Sequence, residues 1–258
     1  MTLETELEQR VRHHIGQVAA YAGTLHVPEV AARFERDPLF SIFGLYGPAY
    51  LTARFGGGLI TSIHRKLGDL VEDSVQRVVV AQLGLDPARA TYAAQLESGN
   101  ELVTRTADCF IDIEAIPNGE AKSKVLEIAE VMRDSLPDST IFAGEPRGIG
   151  FEIRGCYQSA DSKRAQADDA MARHLSERAI VPLMLVFCDL SNESIMRRYR
   201  QIWHLREGAG AFDAVARLTG FDLRGFWQSQ QDWIDAELGL AFQRLSPELP
   251  EPPEPLAT

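Results

Sequence analysis

The chain has 258 residues, of which 45% are apolar and 24% charged, so it can bury a substantial hydrophobic core. This composition excludes collagen, a coiled coil and a wholly disordered chain, and the longest apolar run, 179–188, is too short to cross a membrane. The net charge of −11 does not favour nucleic-acid binding over the whole surface. However, residues 146–206 have a positive net charge, and 22 of the 26 cations are arginine, whose planar fork suits phosphates and guanine edges. A biased genome composition explains the excess of arginine equally well.

The first 58 residues predict an extension made of helix and loop. Residues 1–36 have a helical apolar spacing, and 37–58 are rich in proline, glycine and aromatic residues, which predicts a loop or a strap over the core. The triplet Gly56–Gly57–Gly58 opens a predicted helix whose apolar stripe ends near Gly84. A glycine triplet before a helix resembles a phosphate cradle, but it lacks the P-loop spacing and is more often a hinge.

The middle of the chain predicts a β-sheet with inserted helices. Strands are expected over 91–97, 102–116, 151–157 and 180–188, with a hairpin turn at Ser98–Gly99–Asn100. Helices are expected after Asn118 and over about 159–178, and the later helical segments are 193–205, 209–219 and 223–244. This order predicts an α/β protein: a central mixed β-sheet flanked by helices, with helical N- and C-terminal additions.

We expect one domain over 1–245, divided into the extension 1–58, a core 59–188 and a helical C-terminal part 189–245. The proline-rich acidic tail 246–258 predicts disorder. Three cysteines, Cys109, Cys156 and Cys188, lie in apolar strand-like contexts. They predict reduced thiols in a cytoplasmic protein.

Carboxylates on two predicted strands provide a candidate metal site. Alternation places Asp108 and Asp112 on one face of their strand, and Glu152 and Arg154 share a face of theirs. If the strands are neighbours, Asp108 and Glu152 converge, and two carboxylates suit a hard divalent cation such as Mg²⁺. The alternative, that these acids line a solvated face of the sheet, stays open.

Lys163 belongs to the inward stripe of the helix that follows Glu152. An inward lysine could orient a water or neutralise a phosphate, or it could extend its amine to solvent at the helix start. Gln158 and Ser159 either position substrate or cap the helix.

A run of cations and aromatic residues between Ser194 and Arg206 contains no acid. Its arginines Arg197, Arg198 and Arg200 are candidates for contact with DNA phosphates. A solvated helix with a buried Trp203 explains the same pattern equally well.

The segments GFEIRGCYQSADSKRAQADDAMARHL and PLMLVFCDLSNESIMRRYRQIWHLREGAGAFDAVARLTGFDLRGFW resemble the ApaLI-type family of type II restriction endonucleases. The similarity covers about residues 100–228 and is most specific at YQSADSKRAQAD and TGFDL. The family looks like a branch of the PD-(D/E)xK nucleases. The core order of that superfamily, helix–strand–strand–strand–helix–strand, agrees with the order read above, so the resemblance implies a restriction-endonuclease-like core.

The resemblance also implies roles for individual residues. The first aspartate of the superfamily motif corresponds to Asp108, although Ala107 precedes it where proline is usual, and Asp112 is the second choice. The (D/E)xK element corresponds to Glu152–Ile153–Arg154, with arginine in the place of lysine. Glu72, on the preceding helix, corresponds to an additional metal-directed glutamate.

An arginine stays protonated at neutral pH and therefore cannot act as a general base. Either Arg154 only stabilises charge, or the role of the lysine has moved to Lys163, which is the reading we favour.

The activity implied by the resemblance is Mg²⁺-dependent double-strand cleavage of DNA at a short palindrome. The implied enzyme is a homodimer, because a twofold dimer meets both halves of a palindrome identically. It would function in restriction–modification together with a DNA methyltransferase. A less specific repair or defence nuclease of the same fold and a non-catalytic DNA-binding protein on a degraded nuclease core are the alternatives. Glycoside hydrolysis by the clustered acids fits least well.

Overall fold

The computed structural model describes residues 1–22, 27–39, 47–98, 101–137, 141–156 and 162–245. Its helices are α1 (Leu3–Ala22), α2 (Val27–Arg36), α3 (Pro48–Leu83), α4 (Gly119–Asp134), α5 (Ser162–Glu177), α6 (Glu193–Tyr199), α7 (Ala209–Thr219), α8 (Leu223–Ser229) and α9 (Gln231–Leu245). Its strands are β1 (Tyr92–Ser98), β2 (Glu101–Ala107), β3 (Cys109–Asp112), β4 (Gly148–Arg154), β5 (Ile180–Val186) and β6 (His204–Glu207).

The chain divides into two compact units. The first unit comprises Met1–Leu7 and Leu70–Trp227 and holds strands β1 to β6. The second comprises Glu8–Asp69 and Gln228–Thr258, and its described part is helical. The predicted tail 246–258 lies outside the described residues.

A four-stranded mixed sheet occupies the centre of the first unit. The strand order is β3-β4-β5-β6; β3 is antiparallel to β4, while the β4–β5 and β5–β6 pairs are parallel. Helices α5 and α6 provide the crossovers that parallel neighbours require. The expectation of an α/β protein with a mixed sheet flanked by helices is therefore confirmed.

Alternation along β4 separates the two faces of this sheet. Phe151 and Ile153 project to one face, here called the core face, where they pack with buried side chains of α3, α4 and α7. Gly150 and Glu152 project to the other, here called the cavity face, which α5 and α6 cover. Both faces are covered, as is usual for parallel strands.

Two glycines of β4 permit close packing on the cavity face. A Cβ on Gly148 would lie 2.6 Å from the carbonyl oxygen of Ile111 and 2.7 Å from the ring of Phe110. A Cβ on Gly150 would lie 2.8 Å from a methyl group of Leu175, which belongs to α5. The lack of side chains here lets α5 approach the sheet and brings its first half beside Glu152.

The predicted strand 102–116 breaks at Asp108. Its first part, β2, pairs with β1 in an antiparallel hairpin, and the turn residues Gly99 and Asn100 lie outside the described part of the chain. At Asp108 the backbone changes partner, since its N–H donates to the carbonyl of Phe151 at 2.9 Å. Asp108 therefore lies at the junction between the hairpin and the central sheet.

The prediction of a loop over 37–58 is wrong for residues 48–58. Helix α3 begins at Pro48, so the glycine triplet lies inside the helix and does not open it. Leu51, Phe55 and Leu59 are buried in the core of the second unit, together with Val18 and Ala241. This burial outweighs the poor helix propensity of glycine, about 1 kcal/mol per residue relative to alanine.

The predicted helix 193–205 is too long, because α6 ends at Tyr199 and the chain then forms β6. This strand has only four residues, and its His-Leu-Arg-Glu sequence carries no continuous apolar signal. It extends the sheet by pairing in parallel with β5.

The expectation of three reduced cysteines is wrong, because Cys156 and Cys188 form a disulfide with Cα atoms 5.4 Å apart. The register of β4 and β5 explains the pairing: Arg154 is opposite Val186, so the residues two positions further also meet. Cys109 is free and buried, and burial raises its pKa to about 12.

None of the helices in the described part of the chain combines the length and the apolar character that a membrane span requires.

Candidate functional site

The antiparallel pairing of β3 with β4 brings Asp108 next to Glu152. Cys109 is opposite Phe151 in this pair. Asp108 precedes Cys109 and Glu152 follows Phe151, so these two residues are neighbours at one end of the strand pair. Both carboxylates form an ion pair with the same residue, Arg154. The convergence that the sequence predicted for neighbouring strands is therefore present.

Three oxygens from different groups surround the guanidinium of Arg154. Its Nη1 donates to Oδ2 of Asp108 at 2.8 Å and to the carbonyl oxygen of Ile153 at 2.6 Å, and its Nη2 pairs with Oε1 of Glu152. Two carboxylates and a backbone carbonyl thus converge on one cation. These are the oxygen donors that hard divalent cations prefer.

The cluster is largely withdrawn from solvent, with side-chain exposures of 16% for Asp108, 7% for Glu152 and 15% for Arg154. Burial raises the pKa of the Asp108 carboxyl. The Arg154 charge and the N–H of Ile153, which donates to Oδ2 at 2.7 Å, oppose that rise. A positive neighbour, whether arginine or metal, stabilises the ionised form of such a buried carboxyl group.

A cavity of about 450 Å³ opens above this cluster on the cavity face. Its described lining comes from β2, the junction residue, β4 and α5: Arg105, Thr106, Asp108, Glu152, Arg154, Arg164, Ala167, Asp168 and Met171. The acidic side chains are buried or nearly so, whereas Arg105 and Arg164 are exposed. The cavity therefore presents cations towards solvent and carboxylates deeper inside.

Asp168 is a buried carboxylate of this cavity that sequence reasoning missed. Its Oδ2 accepts a hydrogen bond from the buried hydroxyl of Tyr199 at 2.6 Å, which links α5 to α6. Sequence reasoning also missed Arg105 and Arg164. On α5 the spacing was informative, because Arg164, Ala167, Asp168 and Met171 form the i, i+3, i+4, i+7 stripe of one helix face.

Two predicted metal ligands do not line the cavity. Glu72 is exposed on α3. Asp112 lies at the far end of β3, about 13 Å along the strand from Asp108. There it accepts hydrogen bonds from Arg89 at 2.8 Å and from the N–H of Glu114 at 3.2 Å, so it caps the 3₁₀ turn that follows β3.

Lys163 lies in the first turn of α5, and its side chain is outside the described part of the structure. Gln158 and Ser159 lie in the segment 157–161, which is also outside the described residues.

The predicted DNA-contact arginines lie on or next to α6, and two of them bind acids. Arg198 donates through Nε to Asp169 at 3.0 Å, and Arg200 donates to Glu193 at 2.7 Å and also pairs with Glu207. These hydrogen bonds raise the pKa of both arginines. Arg197 is exposed. The described ion pairs assign Arg198 and Arg200 a part in joining α6 to α5 and β6.

The donor set fits Mg²⁺ in kind. The described residues contain no group of three or more His, Cys, Asp or Glu side chains that could hold a metal ion. However, Mg²⁺ commonly takes only one or two protein carboxylates and completes its shell with water and substrate phosphate. Asp108 and Glu152, with the carbonyl of Ile153, meet that smaller requirement.

Comparison of the chain with protein-family models, with curated proteins and with solved structures gives no match.

Proposed function

We propose that this protein is a Mg²⁺-dependent endonuclease that cleaves double-stranded DNA, with a restriction-endonuclease-like core. The observation that carries the proposal is the convergence of Asp108, Glu152 and the Ile153 carbonyl on one cationic group beside an open cavity. With helix α4 as an insertion between β3 and β4, the order α3, β1, β2–β3, β4, α5, β5 is also the element order implied by the resemblance to PD-(D/E)xK nucleases.

In this proposal Asp108 and Glu152 would hold the metal. When bound, Mg²⁺ lowers the pKa of a coordinated water and neutralises charge that develops on a phosphodiester. Pairing of β3 with β4 and the hydrogen bond from the Ile153 N–H to Asp108 hold the two carboxylates next to each other.

Arg154 must release these oxygens before a metal can use them, and its guanidinium is then available to a phosphate oxygen in the same cavity. It stays protonated, so it stabilises charge and does not accept a proton. We propose that Lys163, in the first turn of α5, takes the role that the motif lysine has in the PD-(D/E)xK nucleases, which the chain resembles. In cleavage assays Lys163→Ala should then reduce the rate more than Arg154→Ala does; an effect confined to Arg154 would contradict this assignment.

The further parts of the proposal are cleavage at a short palindrome by a homodimer, and a partner DNA methyltransferase that protects the host sites. A twofold dimer would bring one cavity to each strand. These parts rest on the sequence resemblance.

The test is digestion of unmethylated phage DNA by the purified protein, with Mg²⁺ or with EDTA, analysed on a gel. We expect discrete fragments with Mg²⁺ only. A smear would support a nuclease without sequence specificity. Intact DNA from several unmethylated genomes would contradict the nuclease proposal.

A non-catalytic DNA-binding protein is the second candidate, and one observation favours it: Arg154 occupies the position shared by both carboxylates. A permanent arginine there would replace the metal. Retention of DNA with no cleavage in Mg²⁺, together with no Mn²⁺ binding by calorimetry, would favour this candidate.

A further inference from the structure

The charges that line the cavity are arranged by depth. Asp108, Glu152 and Asp168 are buried or nearly so, while Arg105 on β2 and Arg164 on α5 are exposed. These two arginines, here called the rim arginines, come from different elements, yet both line the same cavity. An ion that approaches from solvent therefore meets positive charge first.

Each of these three carboxylates already has a hydrogen-bonding partner within the protein. Asp108 and Glu152 pair with Arg154, and Asp168 accepts the hydroxyl of Tyr199. The charge of Arg164 also acts on the Asp108 carboxyl, and both rim arginines have exposed side chains. Their exposed heads are positioned to contact an anion that enters from outside.

Among the described lining residues the formal charges balance, since three arginines face three acids. A divalent cation at Asp108 and Glu152 would shift this balance to a net charge of about +2. The cavity would then attract an anion at its floor as well as at its rim. A phosphodiester flanked by its neighbours along a strand matches that arrangement.

We propose that Arg105 and Arg164 bind the phosphate backbone of the DNA strand that enters the cavity; this inference rests on the proposed function. The volume of about 450 Å³ lies in the lower part of the range of small-ligand pockets, roughly 300–1,000 Å³. This volume is large enough for a sugar–phosphate portion of one strand but too small for a duplex. Guanidinium groups suit this task, because they donate bidentate hydrogen bonds to phosphate.

Both rim arginines line the cavity, whereas Arg197, Arg198 and Arg200 are not among its described lining residues. Arg198 and Arg200 are engaged by Asp169, Glu193 and Glu207 on the protein itself. We therefore assign the contact with the DNA backbone to two arginines from different elements that the fold brings to one cavity, and not to the cation-rich run that the sequence suggested.

The experiment measures binding of a fluorescent mixed-sequence 30-base-pair duplex in EDTA, so that no cleavage occurs. Anisotropy titrations at several salt concentrations compare the wild type with Arg105→Ala and Arg164→Ala. Arg173→Ala is the matched control, because Arg173 is exposed on the same helix about 13 Å from Arg164 and does not line the cavity. Thermal melting verifies that each variant is folded.

We expect each rim variant to lose roughly tenfold in affinity and to reduce the slope of log K against log salt by about 1, while Arg173→Ala changes neither. Arg164→Lys should restore most of the slope, since it restores the charge. Equal effects of all three alanine variants, or none, would overturn the rim assignment and leave the nuclease proposal intact. If binding depends on the rim arginines but DNA is not cleaved in Mg²⁺, the role of the rim arginines is supported and the nuclease proposal is contradicted. If the wild type cleaves DNA in Mg²⁺ but does not bind it in EDTA, only the proposed role of the rim arginines is overturned.

Discussion

The two faces of the central sheet use adjacent residues of the same strand for opposite purposes. On the core face Phe151 is fully buried among apolar side chains of three helices. On the cavity face its neighbour Glu152 contacts a guanidinium beside an open cavity. A single period-two pattern thus places a residue important for stability and a candidate site residue one position apart. Substitutions at such neighbours should therefore change different observables.

DNA cleavage should depend most strongly on the two carboxylates of the cavity face. Asp108→Asn and Glu152→Gln preserve side-chain shape but remove the negative charge needed to hold Mg²⁺. We expect each to lower the cleavage rate by at least about 10³-fold, because several kcal/mol of charge stabilisation is lost. Quantitative digestion of a supercoiled plasmid that carries the site measures the rates.

Asp112→Asn is the control for that loss, since Asp112 is on the same strand but caps the 3₁₀ turn outside the cavity. It should leave cleavage within about twofold and lower stability by about 1 kcal/mol at most. A loss at Asp112 as large as at Asp108 would show that the cavity is not the site of metal binding.

On the core face, Phe151→Ala should lower the free energy of unfolding by about 3–5 kcal/mol, because it removes a fully buried ring and leaves a cavity. Urea denaturation measures this value. The exposed Leu190 provides the comparison: Leu190→Ala should change stability by no more than about 0.5 kcal/mol. A loss below about 1 kcal/mol at Phe151 would mean that the core face is not closed.

The sequence was most informative where one signal acted alone. Continuous apolar residues in β5 and the alternation of β4 predicted the central strands, because both patterns follow from burial. Strand β6 was not predicted, since four residues that include His204 and Arg206 form a strand only through pairing with β5. The start of α3 was missed for a similar reason: burial of Phe55 and Leu59 overrides the adjacent glycines.

For the candidate site, spacing predicted the pair Asp108 and Glu152 but not the rest of the cavity. The pairing of the strands that carry Asp108 and Glu152 could be inferred from the sequence. Arg105 lines the same cavity only because the predicted strand is interrupted at Asp108. The Cys156–Cys188 disulfide escaped prediction because it depends on the exact register of two parallel strands.

A smaller effect concerns the close packing that the glycines of β4 allow. Gly148→Ala would place a Cβ 2.6 Å from a backbone oxygen of β3, so the two strands must shift. We expect a loss of about 1–3 kcal/mol in unfolding free energy, with reduced cleavage, because the pairing that sets Asp108 beside Glu152 is disturbed.

Gly210 is the matched control for that substitution, because nothing lies within 4 Å of a Cβ added there in α7. Gly210→Ala should raise stability by up to about 1 kcal/mol through helix propensity. Stabilisation at both positions in urea denaturation would contradict the tight contact at β4.

The core face and the cavity face should change the stability of the fold with pH in opposite directions. His204 on β6 is opposite Leu183 of the core face. Its Nδ1 is 2.6 Å from the Ser135 hydroxyl, and its Nε2 accepts from Nε of Arg206 at 3.0 Å. Burial lowers the His204 pKa to about 4, and the positive charges of Arg206 and Arg217 act in the same direction.

A histidine pKa that is lower in the folded state than the unfolded value of about 6.5 stabilises the fold above that value. The contribution disappears as the pH falls below about 6.5, because the unfolded chain takes up the proton more readily. His204 should therefore lower the unfolding free energy by about 2 kcal/mol between pH 7 and pH 5. The raised pKa of Asp108 acts oppositely, since the folded state then holds that proton more tightly and gains stability on acidification.

Chemical denaturation at several pH values separates the two contributions. His204→Asn should flatten the loss of stability between pH 7 and pH 5. Asp108→Asn should steepen the loss at lower pH, towards the ordinary carboxyl pKa, because its opposing contribution is removed. If His204→Asn leaves the slope unchanged, the neutral imidazole between Ser135 and Arg206 does not control the acid sensitivity of the core face.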